Sequence, residues 1–381
     1  MKLLLKMFIK KILSFIICFF YKVDKDWVLF ISFDGRQYSD NPRAISEELH
    51  RQNRDIKIFW LLSNISDRSE IPSYVNIIKK TFFNRMKYFA KSFCIVSNER
   101  FSNDFFKRKN QFIVQTWHGD RSFKKVLFDD ETTKKSKQQI WDGKVVDLAI
   151  SGSKFGTSVY RSAFHYYGEI LECGSPRNDC LIENSLDKVN LIKRKIGINK
   201  STKILLFAPT FRDKMLKAQD VNFNISQAIS ILEEQTGSKW VSLIRAHSAS
   251  KGIVLPEDSD KCVDVSHYYD MSDLLLISDL LITDYSSSSF DIILKGTPVI
   301  IFAKDEKEYE ASSRSFKVRP EDSGFLCVFN ETELDDVLSR FNEIDWQKYN
   351  KKVFANYGII ETGRASKKTS ENILQFRAKN W

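Results

Sequence analysis

Short apolar runs separated by stretches of helical periodicity are the dominant pattern of this chain. The runs are rich in Ile, Val, Leu and Phe and predict buried strands, while the longer stretches between them predict helices. Regular alternation of the two predicts βα units around mostly parallel sheets. The predicted strands are 27–33, 57–62, 93–97, 112–116, 147–151, 203–208, 240–245, 280–283 and 299–302. The predicted helices include 41–49, 226–234 and 272–277.

The length of the chain and the repetition of this pattern predict two domains. A chain of 381 residues exceeds the usual size of one hydrophobic core. The predicted fold class is α/β of the GT-B architecture, with two facing Rossmann-like domains. The predicted parts are an N-terminal helix at 1–22, a first Rossmann-like domain at 23–190, a second at 191–345, and a helical segment at 346–381 that packs back on the first domain. No G-x-G-x-x-G follows the first strand, which argues against a nicotinamide-dependent dehydrogenase.

The N-terminal segment combines basic and apolar residues. Its uninterrupted apolar run covers only 12–21, whereas a membrane-spanning helix needs roughly 20 apolar residues. No small-residue cleavage site follows it, so a signal peptide is disfavoured. The pattern predicts a basic amphipathic helix that lies at a membrane surface. In the alternative, Phe15, Phe19 and Phe20 dock on the protein's own core.

The charge balance predicts an anionic partner. The chain has 59 basic and 49 acidic residues, a formal net charge of +10. This charge suits a phosphate polymer, an anionic membrane surface or nucleic acid, although the lysines could also only solvate helix faces. No nucleic-acid-binding motif is present, so we expect no nucleic acid partner. A basic stretch with interleaved aromatic residues, 79–109, could hold a polyanionic acceptor or anionic lipid, or could be ordinary helix packing with solvated lysines.

Cysteine usage argues against a zinc site. None of the six cysteines belongs to a C-x-x-C pair, and most lie in apolar surroundings, as expected for reduced, buried thiols. A zinc site is therefore disfavoured. We also expect no cofactor, and the sequence leaves the metal requirement open.

Two histidines follow predicted strands directly. His118 lies in the 115–120 motif QTWHGD, and His247 lies in the 243–248 motif LIRAHS. Because ligands of open α/β sheets bind outside the carboxyl ends of the strands, both are candidate catalytic residues. His118 has the chemistry of a general base, and His247 could stabilise charge on a phosphate or protonate it as it leaves. The alternatives are a buried histidine satisfied by a carbonyl and a capping or core histidine, respectively.

Hydroxyl and arginine side chains follow other strands. A serine run at 284–289 opens a predicted helix, whose N-terminus and hydroxyls suit a diphosphate, although an ordinary helix cap would use similar residues. Pro209 ends another strand, after which an arginine could contact phosphate or only pair with Asp213. The substrate-binding candidates from these motifs are Thr210, Arg212, Arg245, Asp284, Ser286, Ser287 and Ser288.

Seven motifs in order resemble the CDP-glycerol glycerophosphotransferase family of teichoic-acid primases and polymerases. They are 33–42, 115–119, 174–179, 208–213, 245–247, 282–287 and 296–299. The resemblance implies a peripheral enzyme at the cytoplasmic face of the cell membrane. Such an enzyme transfers a polyol phosphate, most simply glycerol phosphate, from a CDP-activated donor to a hydroxyl of a lipid-linked polyanionic acceptor and releases CMP, in the synthesis of teichoic acid or a related wall or capsule polymer.

The resemblance also implies roles for individual residues. The first domain is the acceptor side and the second binds the CDP donor. His118 matches the catalytic base, while His247, Ser286 and Ser287 match donor-diphosphate contacts. Lys124 or Lys125 matches the lysines after the first histidine motif.

Two positions depart from the family's usual pattern. Asp120 stands where the family usually has Thr, and Ser248 stands where it usually has Pro, and either change could alter acceptor or polyol preference. Three alternatives stay open at this point: a CDP-ribitol phosphotransferase, a GT-B glycosyltransferase that uses a nucleotide sugar, and a non-catalytic membrane-bound anion binder.

Overall fold

The chain forms two compact α/β units, each built on one parallel sheet. The computed structural model describes residues 2–64, 68–101, 104–130, 143–210, 223–245, 261–312 and 315–381, with side chains described from residue 8 and not at 312. The first unit consists of Met1–Asp120, Leu127–Asp179 and Ile360–Trp381. The second unit consists of Arg121–Val126 and Cys180–Ile359. Together they give the predicted GT-B fold class of two Rossmann-like domains.

The first unit has a seven-stranded sheet with the order β3-β2-β1-β4-β5-β6-β7. The chain adds β2 and β3 on one side of β1 and then crosses to β4 on the other side. The topological switch point of this sheet therefore lies between β1 and β4. The strands are β1 Asp24–Ile31, β2 Lys57–Leu62, β3 Asn76–Lys79, β4 Ser92–Ser97, β5 Phe112–Gln115, β6 Leu148–Ser151 and β7 Glu169–Glu172.

The second unit has a six-stranded sheet with the order β10-β9-β8-β11-β12-β13. Its switch point lies between β8 and β11, and Leu206 pairs with Leu281 across that boundary. The strands are β8 Lys203–Phe207, β9 Trp240–Ile244, β10 Cys262–Asp264, β11 Leu280–Thr283, β12 Val299–Phe302 and β13 Leu326–Val328.

Helices cover the faces of both sheets. In the first unit they are α1 Lys2–Phe20, α2 Asp40–Gln52, α3 Phe82–Lys91, α4 Lys154–Ser162 and α13 Ala365–Asn380, and α5 Asp179–Glu183 begins where the units divide. In the second unit they are α6 Leu186–Ile196, α7 Ile225–Thr236, α8 Met271–Ile277, α9 Ser288–Ile292, α10 Glu306–Ser312, α11 Glu331–Ser339 and α12 Trp346–Tyr357. The buried sides of α7 and α11 pack with β8, β9, β11 and β12 in one apolar cluster, which forms the core of the second unit.

The division of the chain differs in place from the predicted boundaries. The units divide after Asp179 instead of at 190, because the carboxylate of Asp179 accepts hydrogen bonds from the backbone N–H groups of Ala365 (2.9 Å) and Ser366 (2.8 Å). The predicted C-terminal segment 346–381 is also split. Helix α12 belongs to the second unit, whereas Ile360–Trp381 belongs to the first.

Helix α1 is attached to the first unit along one side only. The hydroxyl of Ser14 accepts a hydrogen bond from the N–H of Phe106 (2.9 Å), and Ile17 packs against the core. Phe15 contacts the ring of Phe106, but Phe19 and Phe20 are 74% and 77% exposed, so these two do not dock on the core as the alternative required. In the described part of the chain, no helix has the length and apolar character needed to cross a bilayer.

Candidate functional site

His118 is held in one orientation by a backbone carbonyl. It follows β5, and its Nδ1 lies 2.8 Å from the carbonyl oxygen of Asn98, which follows β4. A carbonyl can only accept, so Nδ1 carries a hydrogen, and in the neutral imidazole Nε2 then has the lone pair. The half-buried ring lies between Trp117 and Phe33, with centroid distances of 4.2 and 5.6 Å. A neutral imidazole fixed in this way can accept a proton through Nε2.

The side chain of Asn98 is itself fully engaged. It is buried, and its Nδ2 donates to the hydroxyl of Ser32 (3.2 Å) and to Oδ1 of Asp40 (3.0 Å). Its Oδ1 accepts from the N–H of Phe33 (2.8 Å). Because all of these groups follow β1 or β4, the carbonyl that orients His118 is anchored at the switch point of the sheet.

A buried ion pair contacts the residues that orient His118. Oδ2 of Asp40 accepts from Nη1 of Arg177 at 2.8 Å, and both side chains are buried. Asn41 accepts from the N–H of Arg177 (3.0 Å) and donates to the carbonyl of Trp117 (2.9 Å), the residue before His118. Asp40 adopts a left-handed backbone conformation (φ 66°). These residues belong to two of the resemblance motifs, and in this structure they position the histidine loop.

Asn98 and the Asp40–Arg177 pair were missed as functional residues by the sequence interpretation. The signal that selected His118, a polar residue directly after a predicted strand, applies equally to Asn98 after β4. Asp40 and Arg177 lay inside quoted motifs, but a pairing across so much sequence becomes visible only in the fold.

Asp120, the departure from the family pattern, has a structural partner. Its Oδ2 accepts from the N–H of Gly152 (2.8 Å) and from the hydroxyl of Ser153 (3.0 Å). A Cβ on Gly156 would overlap the carboxylate, so this glycine leaves room for Asp120. Asp120 thus ties the histidine loop to the start of α4.

In the second unit, Thr210 and Asp284 meet at the switch point of the sheet. Thr210 follows β8 and Asp284 follows β11. Both carboxylate oxygens of Asp284 accept from the N–H of Thr210 (2.9 and 3.0 Å), and Oδ1 also accepts from its hydroxyl. Asp284 is buried, whereas Thr210 is half-buried. The carboxylate therefore shapes the loop after β8.

The serines of the 284–289 turn form hydrogen bonds with one another. The hydroxyls of Ser286 and Ser288 lie 2.9 Å apart, and the hydroxyl of Ser289 donates to the carbonyl of Ser286 (2.8 Å). Helix α9 has only five residues, so its dipole is small. Ser286 and Ser287 are half-buried, while Ser288 and Ser289 are buried. The hydroxyls, more than the helix end, are what this turn offers to a ligand.

Arg245 lies at the carboxyl end of β9, next to β8. Its Nη2 donates to the carbonyl of Tyr268 at 3.4 Å. Its Nη1 is buried, and within the described residues it has no hydrogen-bond partner. Burial lowers the pKa of Arg245, against the opposing effect of Asp270. An oxyanion could accept a hydrogen bond from this buried donor.

The contacts of the remaining predicted residues do not indicate a ligand. The ammonium of Lys124 lies 5.4 Å from the ring centroid of Tyr309, and the N–H of Lys125 donates to the carbonyl of Ser315 (2.9 Å). His247 and Arg212 lie outside the described residues.

The structure thus brings predicted residues together within each unit. His118 and its supporting network lie in the first unit, and Thr210, Arg245 and Asp284 lie at adjacent strand ends in the second. Among the residues described, no three His, Cys, Asp or Glu side chains are grouped as metal ligands.

Comparison with known proteins gives consistent matches over nearly the whole chain. The family described as CDP-Glycerol:Poly(glycerophosphate) glycerophosphotransferase matches residues 13–375. A teichoic acid poly(glycerol phosphate) polymerase of Bacillus spizizenii is 32% identical over 364 residues, covering 91% of each protein. A teichoic acid glycerol-phosphate transferase of Staphylococcus aureus is 31% identical over 377 residues, covering 92% of this chain and 94% of that one. A structure of the wall teichoic acid polymerase TagF superimposes with a TM-score of 0.81 at 27% identity, over 94% of this chain and 90% of that one.

Proposed function

Because the chain belongs to the CDP-glycerol:poly(glycerophosphate) glycerophosphotransferase family, we propose that it transfers glycerol phosphate from CDP-glycerol to a hydroxyl of a lipid-linked teichoic-acid acceptor. CMP is the second product. The observation that carries the proposal is the hydrogen bond between His118 Nδ1 and the Asn98 carbonyl, because it leaves Nε2 able to receive the proton of the attacking hydroxyl.

The chemistry is a phosphoryl transfer. The acceptor oxygen attacks the phosphorus that carries glycerol, a new phosphodiester bond forms, and the bond from that phosphorus to the bridging oxygen of CMP breaks. The proton of the hydroxyl passes to Nε2 of His118, and the electron pair of the broken bond leaves with CMP. Positioning and charge stabilisation supply most of the catalysis in such reactions.

The second unit supplies the donor side in this proposal. Its switch point is where ligands of open α/β sheets bind, and Thr210 and Asp284 lie there. Nη1 of Arg245, which has no hydrogen-bond partner among the described residues, supports a contact with the diphosphate, and the half-buried hydroxyls of Ser286 and Ser287 support further contacts. We assign His247 and Arg212 the roles that the sequence predicts, charge stabilisation on the diphosphate and phosphate contact.

Helix α1 supports a peripheral position at the membrane. Its outer side exposes a continuous set of large apolar residues, while Lys10 and Lys11 lie on the same helix. An interfacial helix with this composition binds through apolar burial and attraction to anionic lipid. The exposed residues are Phe8, Ile9, Ile12, Leu13, Phe15, Ile16, Phe19 and Phe20.

The decisive experiment offers purified full-length protein a set of donors with a lipid-linked acceptor. CDP-glycerol, CDP-ribitol and a UDP-sugar are compared by nucleotide release and by mass spectrometry of the lipid product. We expect CMP release and a glycerol phosphate mass increment with CDP-glycerol alone. A ribitol phosphate or sugar increment would assign the corresponding alternative, and binding without nucleotide release from any donor would favour an anion binder.

A further inference from the structure

A cleft of about 510 Å³ opens in the first unit beside the histidine loop. Its volume falls within the range of roughly 300–1,000 Å³ found for small-molecule sites. Four basic and three acidic side chains contribute to its lining. Three of the basic residues, Lys80, Arg85 and Arg100, come from the basic stretch 79–109, for which the reaction alone supplies no role.

The inner wall of the cleft is contiguous with the residues that hold His118. Asp34, which lines the cleft, follows Phe33, whose ring lies 5.6 Å from the His118 ring. Glu99, also in the lining, follows Asn98, whose carbonyl orients the same imidazole. The cleft therefore opens at the switch point of the first sheet, and two of its lining residues are the chain neighbours of residues that contact His118.

Helix α1, which we propose lies at the membrane surface, also contributes to the lining of the cleft. Lys10 of α1 lines the cleft, with its Nζ 5.5 Å from the ring centroid of Phe82 and 3.9 Å from Asp104. The exposed apolar residues of α1 begin directly beside it, at Phe8 and Ile9. One cavity thus extends from the proposed lipid-facing helix to the residues around the imidazole.

The charges of the cleft suit a ligand that carries both phosphate and hydroxyl groups. Nη1 of Arg85 donates to both carboxylate oxygens of the buried Asp104 (2.8 and 2.7 Å), so this pair is a fixed part of the wall. Lys80 is 26% exposed, and its Nζ contacts both the carboxylate of Asp34 (2.6 Å) and the backbone carbonyl of Asp34 (2.6 Å). The carboxylate half of this pair is 70% exposed, so Lys80 can exchange that carboxylate for a phosphate and keep its contact with the carbonyl. Asp34 and Glu99 can then accept hydrogen bonds from polyol hydroxyls.

We propose that this cleft binds a glycerol phosphodiester unit of the acceptor, with the terminal hydroxyl toward His118 and the lipid end toward α1. The inference rests on the proposed function, because it names the substrate that the acceptor side takes. The same glycerol phosphodiester chemistry occurs in the headgroup of phosphatidylglycerol, so the test separates the two sources.

The test measures steady-state kinetics of Lys80→Gln and Lys10→Gln with a short, water-soluble oligo(glycerol phosphate) acceptor. Loss of either cation is expected to raise the acceptor KM about 3- to 10-fold and to leave the KM for CDP-glycerol unchanged. Lys25→Gln is the matched control, because Lys25 is an exposed lysine of the same unit that does not line the cleft. It should retain wild-type values.

Direct binding of glycerophosphoglycerol is measured by calorimetry in the absence of donor. This measurement separates failure of the cleft assignment from failure of the proposed function. If the wild-type protein binds glycerophosphoglycerol and Lys80→Gln binds it more weakly, the cleft assignment is supported, whether or not any donor is turned over. A lack of turnover with every donor would overturn only the proposed function. Normal turnover with unchanged acceptor KM in both variants would overturn the cleft assignment. So would a loss of binding to phosphatidylglycerol vesicles with no change in the soluble-acceptor KM, which would assign the cleft to the membrane headgroup.

Discussion

Nδ1 of His118 lies 2.8 Å from the backbone carbonyl oxygen of Asn98, and this contact decides which nitrogen of the imidazole carries a hydrogen. The side chain of Asn98 forms hydrogen bonds with Ser32, Phe33 and Asp40. These bonds hold the backbone carbonyl oxygen of Asn98 in place at the end of β4. The proposed base is thus oriented by a main-chain group and not by a carboxylate. Replacing the Asn98 side chain would act on the imidazole only through the loop that presents this carbonyl.

Removing the imidazole should abolish most of the turnover. Positioned general-base catalysis is worth about 10²–10⁴-fold, so we expect His118→Ala to lower kcat by ~10²-fold or more. CMP release under saturating CDP-glycerol measures it, and circular dichroism checks that the fold is kept. Turnover within a few-fold of wild type would exclude His118 as the base.

The buried Asp40–Arg177 pair should matter for both stability and rate. Asp40→Asn leaves Arg177 buried without its carboxylate, and breaking such a pair costs about 3–5 kcal/mol. We expect a lower free energy of unfolding in urea and a lower kcat, with the KM for CDP-glycerol unchanged. The control is Lys367→Gln, which removes an exposed pair with Glu371 at 4.0 Å and should change the stability by less than about 1 kcal/mol. A stable Asp40→Asn variant with normal kcat would contradict the supporting role.

The Thr210–Asp284 contact should appear in donor binding. Thr210→Val removes the hydroxyl that donates to the carboxylate and leaves the backbone N–H contact in place. Loss of a hydrogen bond to a charged group costs about 1.5–3 kcal/mol in the stability of this loop, and donor binding must then restore the loop conformation, so we expect the KM for CDP-glycerol to rise by up to roughly 10-fold. Thr210→Ser should restore it. If only the KM for the acceptor rose, the loop would act in acceptor binding, and its proposed role in donor binding would be contradicted.

Lys295 should give the stability a distinct dependence on pH. It donates to the carbonyls of Leu276 (2.8 Å) and Ser278 (2.6 Å), and burial lowers its pKa to about 8, against the opposing effect of Asp279. Lys193 and Lys203 also face this group and lower the pKa further.

The sign of that dependence follows from proton uptake. Between about pH 8 and the unfolded value near 10.4, the unfolded chain binds one proton more than the folded chain at this site, so the contribution of Lys295 to stability rises with pH. It is lost as the pH falls through 8. The free energy of unfolding of wild type minus that of Lys295→Met should therefore be larger at pH 9.5 than at pH 7.5. The exposed Lys25→Met control should show no such change, and an equal difference at both pH values for Lys295→Met would contradict the assignment.

The exposed end of α1 should be required for membrane association. Burying one Phe side chain is worth about 1.5–3 kcal/mol, so the double change Phe19→Ser with Phe20→Ser should weaken binding to phosphatidylglycerol vesicles by ~10-fold or more. Co-sedimentation measures the bound fraction. Tyr167→Ser, an equally exposed aromatic residue outside α1, is the control and should bind as wild type does. Unchanged binding of the double variant would remove α1 from this role.

Central strands were predictable from the sequence, and edge strands were not. The predicted strands 57–62, 280–283 and 299–302 agree with β2, β11 and β12 to the residue. The four missed strands, β3, β7, β10 and β13, all lie at the edges of the two sheets. An edge strand has one neighbour and a partly solvated face, so β3 and β7 have no fully buried position and no apolar run to detect.

In the candidate site, likewise, residues could be selected from their own chemistry and local sequence, but their distant partners could not. A histidine directly after a strand could be selected as a candidate base because its chemistry lies in its own side chain, and the role of His118 as the base stays a prediction. Asp284 was predicted to bind substrate, a role that stays a prediction, and the structure shows its carboxylate engaged with Thr210. The support of His118 by Asn98 and Asp40 could not be predicted, because these partners are selected by strand order and not by spacing along the chain.

The return of Ile360–Trp381 to the first unit has a consequence for biosynthesis. Asp179 bonds Ser366, and Arg377 bonds the carbonyl of Lys25, so the first unit is completed by residues that are translated after the second unit. Until residues 360–381 have been made and have left the ribosome, the first Rossmann-like sheet lacks the helix α13, whereas the second unit precedes them along the chain. Nascent chains should therefore acquire protease resistance in the second unit first, and a stop codon before residue 360 should leave the amino-terminal half as the substrate of chaperones.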